Sequence, residues 1–199
     1  YYACAPPAGV AFSSVQCGFL HTCGLREADS QVLCWGSDTE GQSTPPAGVT
    51  FDSIDSGGFH SCGIRSADGR VQCWGDNSDG QSAPVLAVYE EISLGRYHSC
   101  GIRAGDREAV CWGKNTSGQA SPPVGVAFES LRGGFDHTCG IRLDTQEAEC
   151  WGGNEYGQLD APVGLAFTQI ASGMYYTCGI RADDGTDVCF GLQARNIWQ

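Results

Sequence analysis

Cysteine and histidine are the side chains in this sequence best suited to metal binding or redox chemistry, and both recur at fixed spacing. Five pairs of cysteines stand eleven residues apart. The pairs are Cys23 with Cys34, Cys62 with Cys73, Cys100 with Cys111, Cys139 with Cys150, and Cys178 with Cys189. Two residues before four of the pairs lie His21, His60, His98 and His137, and Tyr176 precedes the fifth. Such clusters suit zinc if the thiols are reduced and disulfides if they are oxidised.

The cysteine pairs belong to a unit that occurs five times. Cys-Trp-Gly, or Cys-Phe-Gly at 189–191, returns at steps of 38 or 39 residues. A motif of the type HSCGIR precedes it in each copy, and a Gly-Gln pair follows it in the first four. A proline-rich segment such as PPAGVTFDSI (45–54) opens the copies. A repeat of this length indicates a modular fold.

Each unit has the pattern of short β-strands. In the first copy, residues 10–16, 20–26 and 31–36 are β-rich and separated by turn residues. A fourth strand can follow Gly-Gln, where Pro45 and Pro46 confine it to a sheet edge. Four short strands per unit predict an all-β five-bladed propeller, a single domain over residues 1–199. The expected blades cover about 10–47, 49–85, 88–123, 126–162, and 165–191 together with 1–7.

Folding the second strand onto the third places the two cysteines of a unit opposite each other. In this register Gly24 faces Leu33 and Thr22 faces Trp35. Opposed residues in a non-hydrogen-bonded antiparallel pair have Cα atoms about 4.5 Å apart, which a disulfide can bridge. We therefore predict one disulfide within each blade. Oxidised cysteines cannot bind zinc, so we interpret the histidines as hydrogen-bonded structural residues and expect no metal or cofactor.

Cys4 and Cys17 have no counterparts in the other copies, where Ser43 and Ser56 stand instead. The start of the chain, CAPPAG, matches STPPAG (43–48), whereas the last copy lacks its own proline-rich end. We predict that the N-terminal strand completes the last blade and closes the ring. A sixth disulfide, Cys4 with Cys17, would then join the two sides of the closure.

The segment GGFHSCGIRSADGRVQCWGDNSDGQ (57–81) resembles the regulator-of-chromosome-condensation repeat family. The resemblance implies a β-propeller, commonly of seven blades, that recognises proteins. Some members catalyse nucleotide exchange on a small GTPase, and a bacterial member inhibits β-lactamase. This chain departs from the pattern in having five copies with a cysteine pair in each. The cysteine-bearing extracellular members are therefore the nearer analogy.

Charge and cysteine usage narrow the classes of function. The 199-residue chain carries a formal charge of −12, and Lys114 is its single lysine. Such a chain repels nucleic acid and anionic lipid, so we expect neither as a partner. No apolar run reaches the roughly 20 residues of a membrane-spanning helix. The even cysteine count indicates an oxidising compartment, so we expect a secreted protein whose targeting segment is absent from this mature sequence.

Two further sets of repeated side chains have two interpretations each. An arginine ends the HSCGIR motif in every copy, at Arg26, Arg65, Arg103, Arg142 and Arg181. These residues either line the channel and bind an anion or pair with a nearby carboxylate or carbonyl. The aromatic residue after the second cysteine of each pair is Trp35, Trp74, Trp112, Trp151 or Phe190. These rings either pack between blades or stack against sugars.

The turns after Cys-Trp-Gly vary although the frame around them repeats, and varied turn residues are where a partner would bind. The turns are SDTE (37–40), DNSD (76–79), KNTS (114–117) and GNEY (153–156). Candidate binding residues are Asp38, Glu40, Asp76, Asp79, Lys114, Glu155 and Tyr156. One slot holds Asp38, Asn77, Asn115 or Asn154, which suits a positive φ. Asn115 begins a glycosylation sequon, so we expect a glycoprotein if the source is eukaryotic.

No arrangement of residues indicates catalysis. His60 and Ser61 are adjacent on a strand and point to opposite faces, and Asp183 and Asp184 lie in a turn pattern. We predict a secreted, non-catalytic protein that binds a protein partner through propeller-face loops, as an inhibitor or accessory subunit of a secreted enzyme. A multivalent lectin with one glycan site per blade is the alternative. An enzyme with its site at the channel mouth ranks below both.

Overall fold

The computed structural model describes residues 5–192, which form fifteen strands in five antiparallel three-stranded sheets. No helix in this part of the chain is long and apolar enough to cross a membrane. In chain order the sheets contain β1 (Phe12–Cys17), β2 (His21–Arg26) and β3 (Val32–Gly36); β4 (Phe51–Ser56), β5 (His60–Arg65) and β6 (Val71–Gly75); β7 (Tyr89–Leu94), β8 (His98–Arg103) and β9 (Ala109–Gly113); β10 (Phe128–Gly133), β11 (His137–Arg142) and β12 (Ala148–Gly152); β13 (Phe167–Ser172), β14 (Tyr176–Arg181) and β15 (Asp187–Gly191). Each sheet with its turns is one blade.

The predicted register and disulfides within the blades are confirmed. Cys23 lies opposite Cys34, Gly24 opposite Leu33, and Thr22 opposite Trp35. All five cysteine pairs are bonded, with Cα atoms 4.0–4.1 Å apart. Each disulfide joins the second and third strands of its blade.

The prediction of a fourth strand in each blade is wrong for the described residues. The segments after Gly-Gln, such as 43–50, are turns and irregular backbone. Single bridges, for example Arg70 to Val88, replace a fourth ladder where the chain passes to the next blade. The prolines explain the difference, because Pro45 and Pro46 supply no N–H group to a sheet.

The hydrophobic core lies between consecutive blades. Phe51 and Ile54 of β4 pack against Cys23 and Leu25 of the first blade. The same contact type recurs at the next three blade junctions. Gly63 is required there, because a Cβ atom at this position would lie 2.4 Å from the Phe51 ring. The small residue of HSCGIR thus lets an aromatic ring lie flat on the sheet.

The faces that the first and last blades turn away from their neighbours are less buried than the equivalent faces elsewhere. Val15 is 47% exposed, whereas its counterparts are at most 7% exposed. These counterparts are Ile54, Ile92, Leu131 and Ile170. Residues 5–7 lie outside any strand, and 1–4, including Cys4, lie outside the described residues. Ring closure by the N-terminal strand therefore stays a prediction.

Candidate protein-binding face

The turn after each third strand is built by the Asn and Gln of the repeat. The Asn77 side chain accepts a hydrogen bond from the Ser82 N–H at 3.0 Å, and Gln81 Oε1 accepts one from the Asp79 N–H at 2.8 Å. Asp38, Asn115 and Asn154 accept the corresponding bonds in the other copies. Gln81 is fully buried. The turn frame is therefore rigid while its tip is free to vary.

The expectation of a positive φ at the Asp or Asn slot is wrong. Gly80 takes the left-handed conformation instead, with a φ of 82°, and Gly41, Gly118 and Gly157 do so in the other copies. Glycine adopts this conformation at no steric cost. The Asp or Asn side chain ties the turn together by accepting hydrogen bonds.

Three of the four repeat tryptophans, and the equivalent phenylalanine, pack between blades, so their rings are not available to stack against sugars. Trp74, Trp112 and Trp151 are buried, as is Phe190. The Trp74 indole N–H donates to the Gln42 carbonyl of the preceding blade at 3.1 Å, and Trp112 and Trp151 repeat the bond. Trp35 of the first blade is half-buried, and its indole N–H has no partner among the described residues.

The four histidines link successive blades as structural residues. His60 Nε2 lies 2.8 Å from Ser99 Oγ of the next blade, and His21, His98 and His137 make the equivalent contacts. Burial lowers the pKa of His60 and His98 to about 3, and that of His21 and His137 to about 4. The rings are therefore neutral at pH 7. Their neighbouring cysteines are oxidised and cannot be metal ligands.

The repeated arginines pair with carboxylates in the turns between the second and third strands. Arg65 pairs with Asp68, and Arg142 pairs with both Asp144 and Glu149. The hydrogen bond from Arg142 lowers the pKa of Asp144 to about 2. Arg26, Arg103 and Arg181 are paired in the same way. These turns lie at the opposite end of the blades from the varied turns, so the ion-pair interpretation is correct and the anion-channel interpretation is not.

The five turns between the first and second strands converge on a cavity of about 320 Å³, which we call the channel mouth. It is lined by residues 17–19, 56–58, 94–96, 133–135 and 172–174. Backbone bonds join neighbouring turns, since the Gly58 N–H donates to the Arg96 carbonyl and the Arg96 N–H donates to the Gly134 carbonyl, both at 3.2 Å. The rim is therefore fixed by the backbone, and its side chains differ from blade to blade.

Below the mouth, side chains of one first strand satisfy the N–H groups of the next. Asp55 accepts hydrogen bonds from the Leu94 and Ser56 N–H groups, both at 2.8 Å, and burial raises its pKa to about 6. Glu91 accepts a bond from the Leu131 N–H at 3.1 Å and pairs with Arg132 at 2.7 Å. The polar groups in this part of the channel are thus used to hold the blades together.

Aromatic rings surround the channel mouth. Phe19 contacts Phe59 and Phe135, with ring centroids 5.8 and 6.5 Å apart. Phe59 stacks on Tyr97 at 6.1 Å, and Tyr175 lies 5.7 Å from Phe135. Phe19 and Met174 remain about half exposed, at 48% and 47%. A cluster of partly exposed apolar and aromatic side chains on a rigid rim has the composition of a binding surface.

Arg96 lies at the centre of this cluster. Its guanidinium carbon is 4.0 Å from the Phe135 ring centroid, 4.6 Å from that of Tyr97 and 5.3 Å from that of Phe19. These distances are those of cation–π contacts. The Arg96 Nε is buried and has no hydrogen-bond partner among the described residues.

The predicted binding residues form the outer ring of the same face. Tyr156 is 43% exposed and its ring centroid lies 4.6 Å from that of Tyr175. Lys114 lies 3.7 Å from Asp136 and 5.3 Å from the Tyr97 ring centroid. The remaining members occupy the same turns, where Asp76 is half-buried and the others are exposed: Asp38, Glu40, Asp79 and Glu155. Their role in binding remains a prediction.

The inner aromatic ring was not among the sequence predictions, although a signal for it was present. The two residues that precede each His or Tyr176 are Phe19-Leu20, Gly58-Phe59, Arg96-Tyr97, Phe135-Asp136 and Met174-Tyr175. Large apolar residues in a short turn between a glycine and a strand have no place in the blade core. Such residues must face the cavity or the solvent.

Two predicted modification sites stay predictions. Asn115 is exposed in its turn, where its amide donates to Ser121 Oγ at 2.9 Å, and its glycosylation stays a prediction. Cys17 is exposed and forms no disulfide with another described residue. Its predicted partner Cys4 lies outside the described residues.

Comparison with known proteins gives the family. The sequence model of the regulator of chromosome condensation (RCC1) repeat matches residues 12–42, 51–81 and 90–119. The ectodomain of the Arabidopsis thaliana receptor kinase ACR4 is 33% identical with a TM-score of 0.80, over 94% of this chain and 67% of that one. The ectodomain of the Physcomitrella patens receptor kinase CR4 is 29% identical with a TM-score of 0.81, over 93% and 52%.

A more distant structure shares the fold alone. Prp20p from Saccharomyces cerevisiae is 18% identical with a TM-score of 0.74, over 91% of this chain and 57% of that one. The chain thus spans about half to two thirds of the length of these proteins. No curated protein matches it. With five disulfide-bonded sheets built from one repeated unit, the chain belongs to the regulator of chromosome condensation (RCC1) repeat family.

Proposed function

We propose that this chain is an extracellular, non-catalytic recognition propeller that binds a protein partner through the channel-mouth face. The observation that carries the proposal is the aromatic cluster at the channel mouth, in which Arg96 contacts the rings of Phe19, Tyr97 and Phe135. Aromatic and arginine side chains are enriched at the centres of protein interfaces, where they supply most of the binding energy. The varied turns would form the polar rim of this interface.

The mode of action we propose is stoichiometric binding, as an inhibitor or accessory subunit of a secreted enzyme. Related folds support protein recognition in general, since Prp20p binds Gsp1p and histones. Plant receptor ectodomains of similar sequence and the five disulfides support an extracellular location. The backbone-fixed rim supports tight binding, because little conformational freedom is lost when the partner docks.

A protein partner fits the face better than a repeated sugar. A multivalent lectin needs the same side chains in the same slot of each blade. The slot of Phe19 instead holds Gly58, Arg96, Phe135 and Met174 in the other blades. The aromatic surface is therefore one composite site, as expected for a single large partner.

Affinity capture from the extracellular fraction of the source tests the proposal, with a glycan array run in parallel. The oxidised chain should retain one protein in a 1:1 complex. Tyr156→Ala with Phe19→Ala should weaken the complex, and Ala67→Glu in a turn at the opposite end should not. Saturable binding of one sugar by several equivalent sites, or loss of the complex in Ala67→Glu alone, would refute the proposal.

A further inference from the structure

We infer that Arg96 is a receptor for an acidic side chain, an Asp or Glu that the protein partner inserts into the channel mouth. This inference rests on the proposed function and names the chemistry of the partner. Three properties of Arg96 support this role: its missing counter-charge, its aromatic surroundings and its position in an acidic protein.

The counter-charge of Arg96 is missing from the part of the chain that the structure describes. The other eight arginines of residues 5–192 each have a carboxylate oxygen within 4.0 Å. They are Arg26, Arg65, Arg70, Arg103, Arg107, Arg132, Arg142 and Arg181. Among the described residues, Arg96 has no such partner and its buried Nε has no acceptor. A buried unpaired donor on a charged group is costly unless a ligand satisfies it.

The aromatic surroundings hold the guanidinium in place for a ligand. The rings of Phe135, Tyr97 and Phe19 lie within 5.3 Å of its central carbon and restrict the conformations of the side chain. A guanidinium positioned in this way presents a planar set of donors that matches the two oxygens of a carboxylate. A partner docked on the aromatic rim would cover that contact and so strengthen it.

The size and charge of the site favour a side chain on a protein loop. The cavity of about 320 Å³ admits one or two side chains, and the half-exposed Phe19 and Met174 offer apolar contacts to the residues beside the acid. The whole chain has a formal charge of −12, so a free anion is repelled at long range. An acidic residue within an apolar loop gains the Arg96 contact and the apolar contacts together.

Selection from a displayed library of random dodecapeptides, with the full oxidised chain as target, tests the inference. Enriched peptides should carry an Asp or Glu between apolar residues. Changing that acid to its amide should weaken binding at least about tenfold. The same change should have little effect on binding to Arg96→Gln, as a double-mutant cycle requires for a direct contact. Arg70→Gln, which removes an arginine at the opposite end, is the matched control and should bind as the native chain does.

The outcomes separate the inference from the proposed function. Peptides that lack an acid and bind Arg96→Gln normally, yet lose affinity for Phe19→Ala, would overturn the role of Arg96 and leave the face as a binding surface. Peptides insensitive to both substitutions, or no enriched peptide, would count against both. The thermal unfolding temperature of Arg96→Gln is compared with that of the native chain. If the two agree, a loss of binding comes from the binding site and not from a destabilised fold.

Discussion

The last residue of the turn between the second and third strands adopts a positive φ in every blade. Gly69 and Gly185 occupy this position in two blades, with φ of 67° and 71°. Ser30, Arg107 and Gln146 occupy it in the others, with φ of 54°, 58° and 60°. A residue with a Cβ atom pays a steric cost in this conformation that glycine does not.

Gln146→Gly should therefore stabilise the protein. Relief of the left-handed strain should exceed the added entropy of the unfolded chain, for a net gain of about 0.5–1 kcal/mol in the free energy of unfolding. Denaturant unfolding without reductant measures it. Gly69→Ala is the reverse control and should destabilise, because its Cβ atom would also lie 2.8 Å from Val88. A destabilised Gln146→Gly would show that Gln146 makes a contribution that outweighs its backbone strain.

The buried histidines should make the fold sensitive to acid. Their pKa values in the folded state are lowered to about 3 or 4 from 6.5, so the unfolded state binds more protons below pH 6.5. The contribution of these histidines to the free energy of unfolding is therefore fully present above pH 6.5. It falls as the pH is lowered toward 4, by about 1.4 kcal/mol per pH unit for each histidine. Asp55 opposes this trend, because its raised pKa of about 6 favours the folded state once it is protonated.

His60→Gln tests the contribution of one ring. Glutamine keeps a polar group near Ser99 but does not titrate. Between pH 6.5 and 5.0 the free energy of unfolding of the variant should therefore fall by about 2 kcal/mol less than that of the native protein. Unfolding free energies at the two pH values provide the measurement. An acid dependence equal to that of the native protein would mean that His60 is protonated in the fold.

Residue types predicted some roles and missed others. Cysteine pairing followed from spacing alone, since eleven residues and a turn fix the register of two strands. The Asn77 and Gln81 roles did not follow, because their bonds run to backbone groups whose positions the sequence does not give. For the repeated arginines, the sequence allowed either ion pairing or anion binding in the channel. The positions of the turns in the structure decided for ion pairing.

At the scale of the element, the disulfide replaces part of the core that a small three-stranded sheet lacks. Each bond closes a loop of about 12 residues between the second and third strands, which restricts the unfolded chain. Cys62 itself is fully buried and packs with Ile64 and Ile92 at a blade junction. The bond therefore contributes to packing as well as to covalent restraint.

Replacing Cys62 and Cys73 together by alanine should lower the free energy of unfolding by about 2–3 kcal/mol or more, from loop entropy and from the lost contacts of the buried sulfur. Chemical denaturation under oxidising conditions measures the loss. Ala67→Ser, in the turn of the same hairpin, should change stability by less than about 0.5 kcal/mol. A double variant as stable as the native chain would mean that the sheet is held by its packing alone.

Strand prediction succeeded where hydrophobic alternation and turns agreed and failed where they conflicted. Observed strands begin and end within two residues of the predicted ones, as β1 does at Phe12 and Cys17. The fourth strand was predicted after Gly-Gln as an edge strand, although Pro45 and Pro46 lie within it. The prolines decided the outcome, because their missing N–H groups and the turns around them prevent a ladder.

For the molecule as a whole, the outward face of the first blade differs from the equivalent faces at the four junctions between consecutive blades. Val15 is less buried than its counterparts, and the Trp35 indole N–H lacks, among residues 5–192, the hydrogen bond that Trp74, Trp112 and Trp151 make. The element that completes the ring should cover Val15 and offer a carbonyl to the Trp35 N–H. The N-terminal strand is our predicted candidate.

Mass spectrometry of proteolytic fragments without reductant tests this closure. We expect a fragment that links Cys4 with Cys17 besides the five bonds within the blades. The double variant Cys4→Ser with Cys17→Ser should keep the other five bonds. Alkylation of Cys17 in the native, unreduced protein would instead show a free thiol and leave the closing element to be found elsewhere.

The candidate binding face was only partly predictable from the sequence. Comparison of the five copies separates constant positions, which build the scaffold, from variable ones. The variable turns gave the outer ring of candidate residues, including Tyr156. The inner cluster of aromatic side chains and Arg96 depends on residues from all five blades meeting at the channel mouth. No single repeat contains that information, so it required the three-dimensional arrangement.

Site-specific photocrosslinking tests the central claim, that the channel-mouth face binds a protein, most directly. A photoreactive phenylalanine analogue is placed at Tyr156 on that face and, as a matched control, at Ala67 in the exposed turn at the opposite end. Both proteins are irradiated in the extracellular fraction of the source. We predict one crosslinked protein at position 156 and none at 67. Crosslinking to the same protein from position 67 alone would contradict the account.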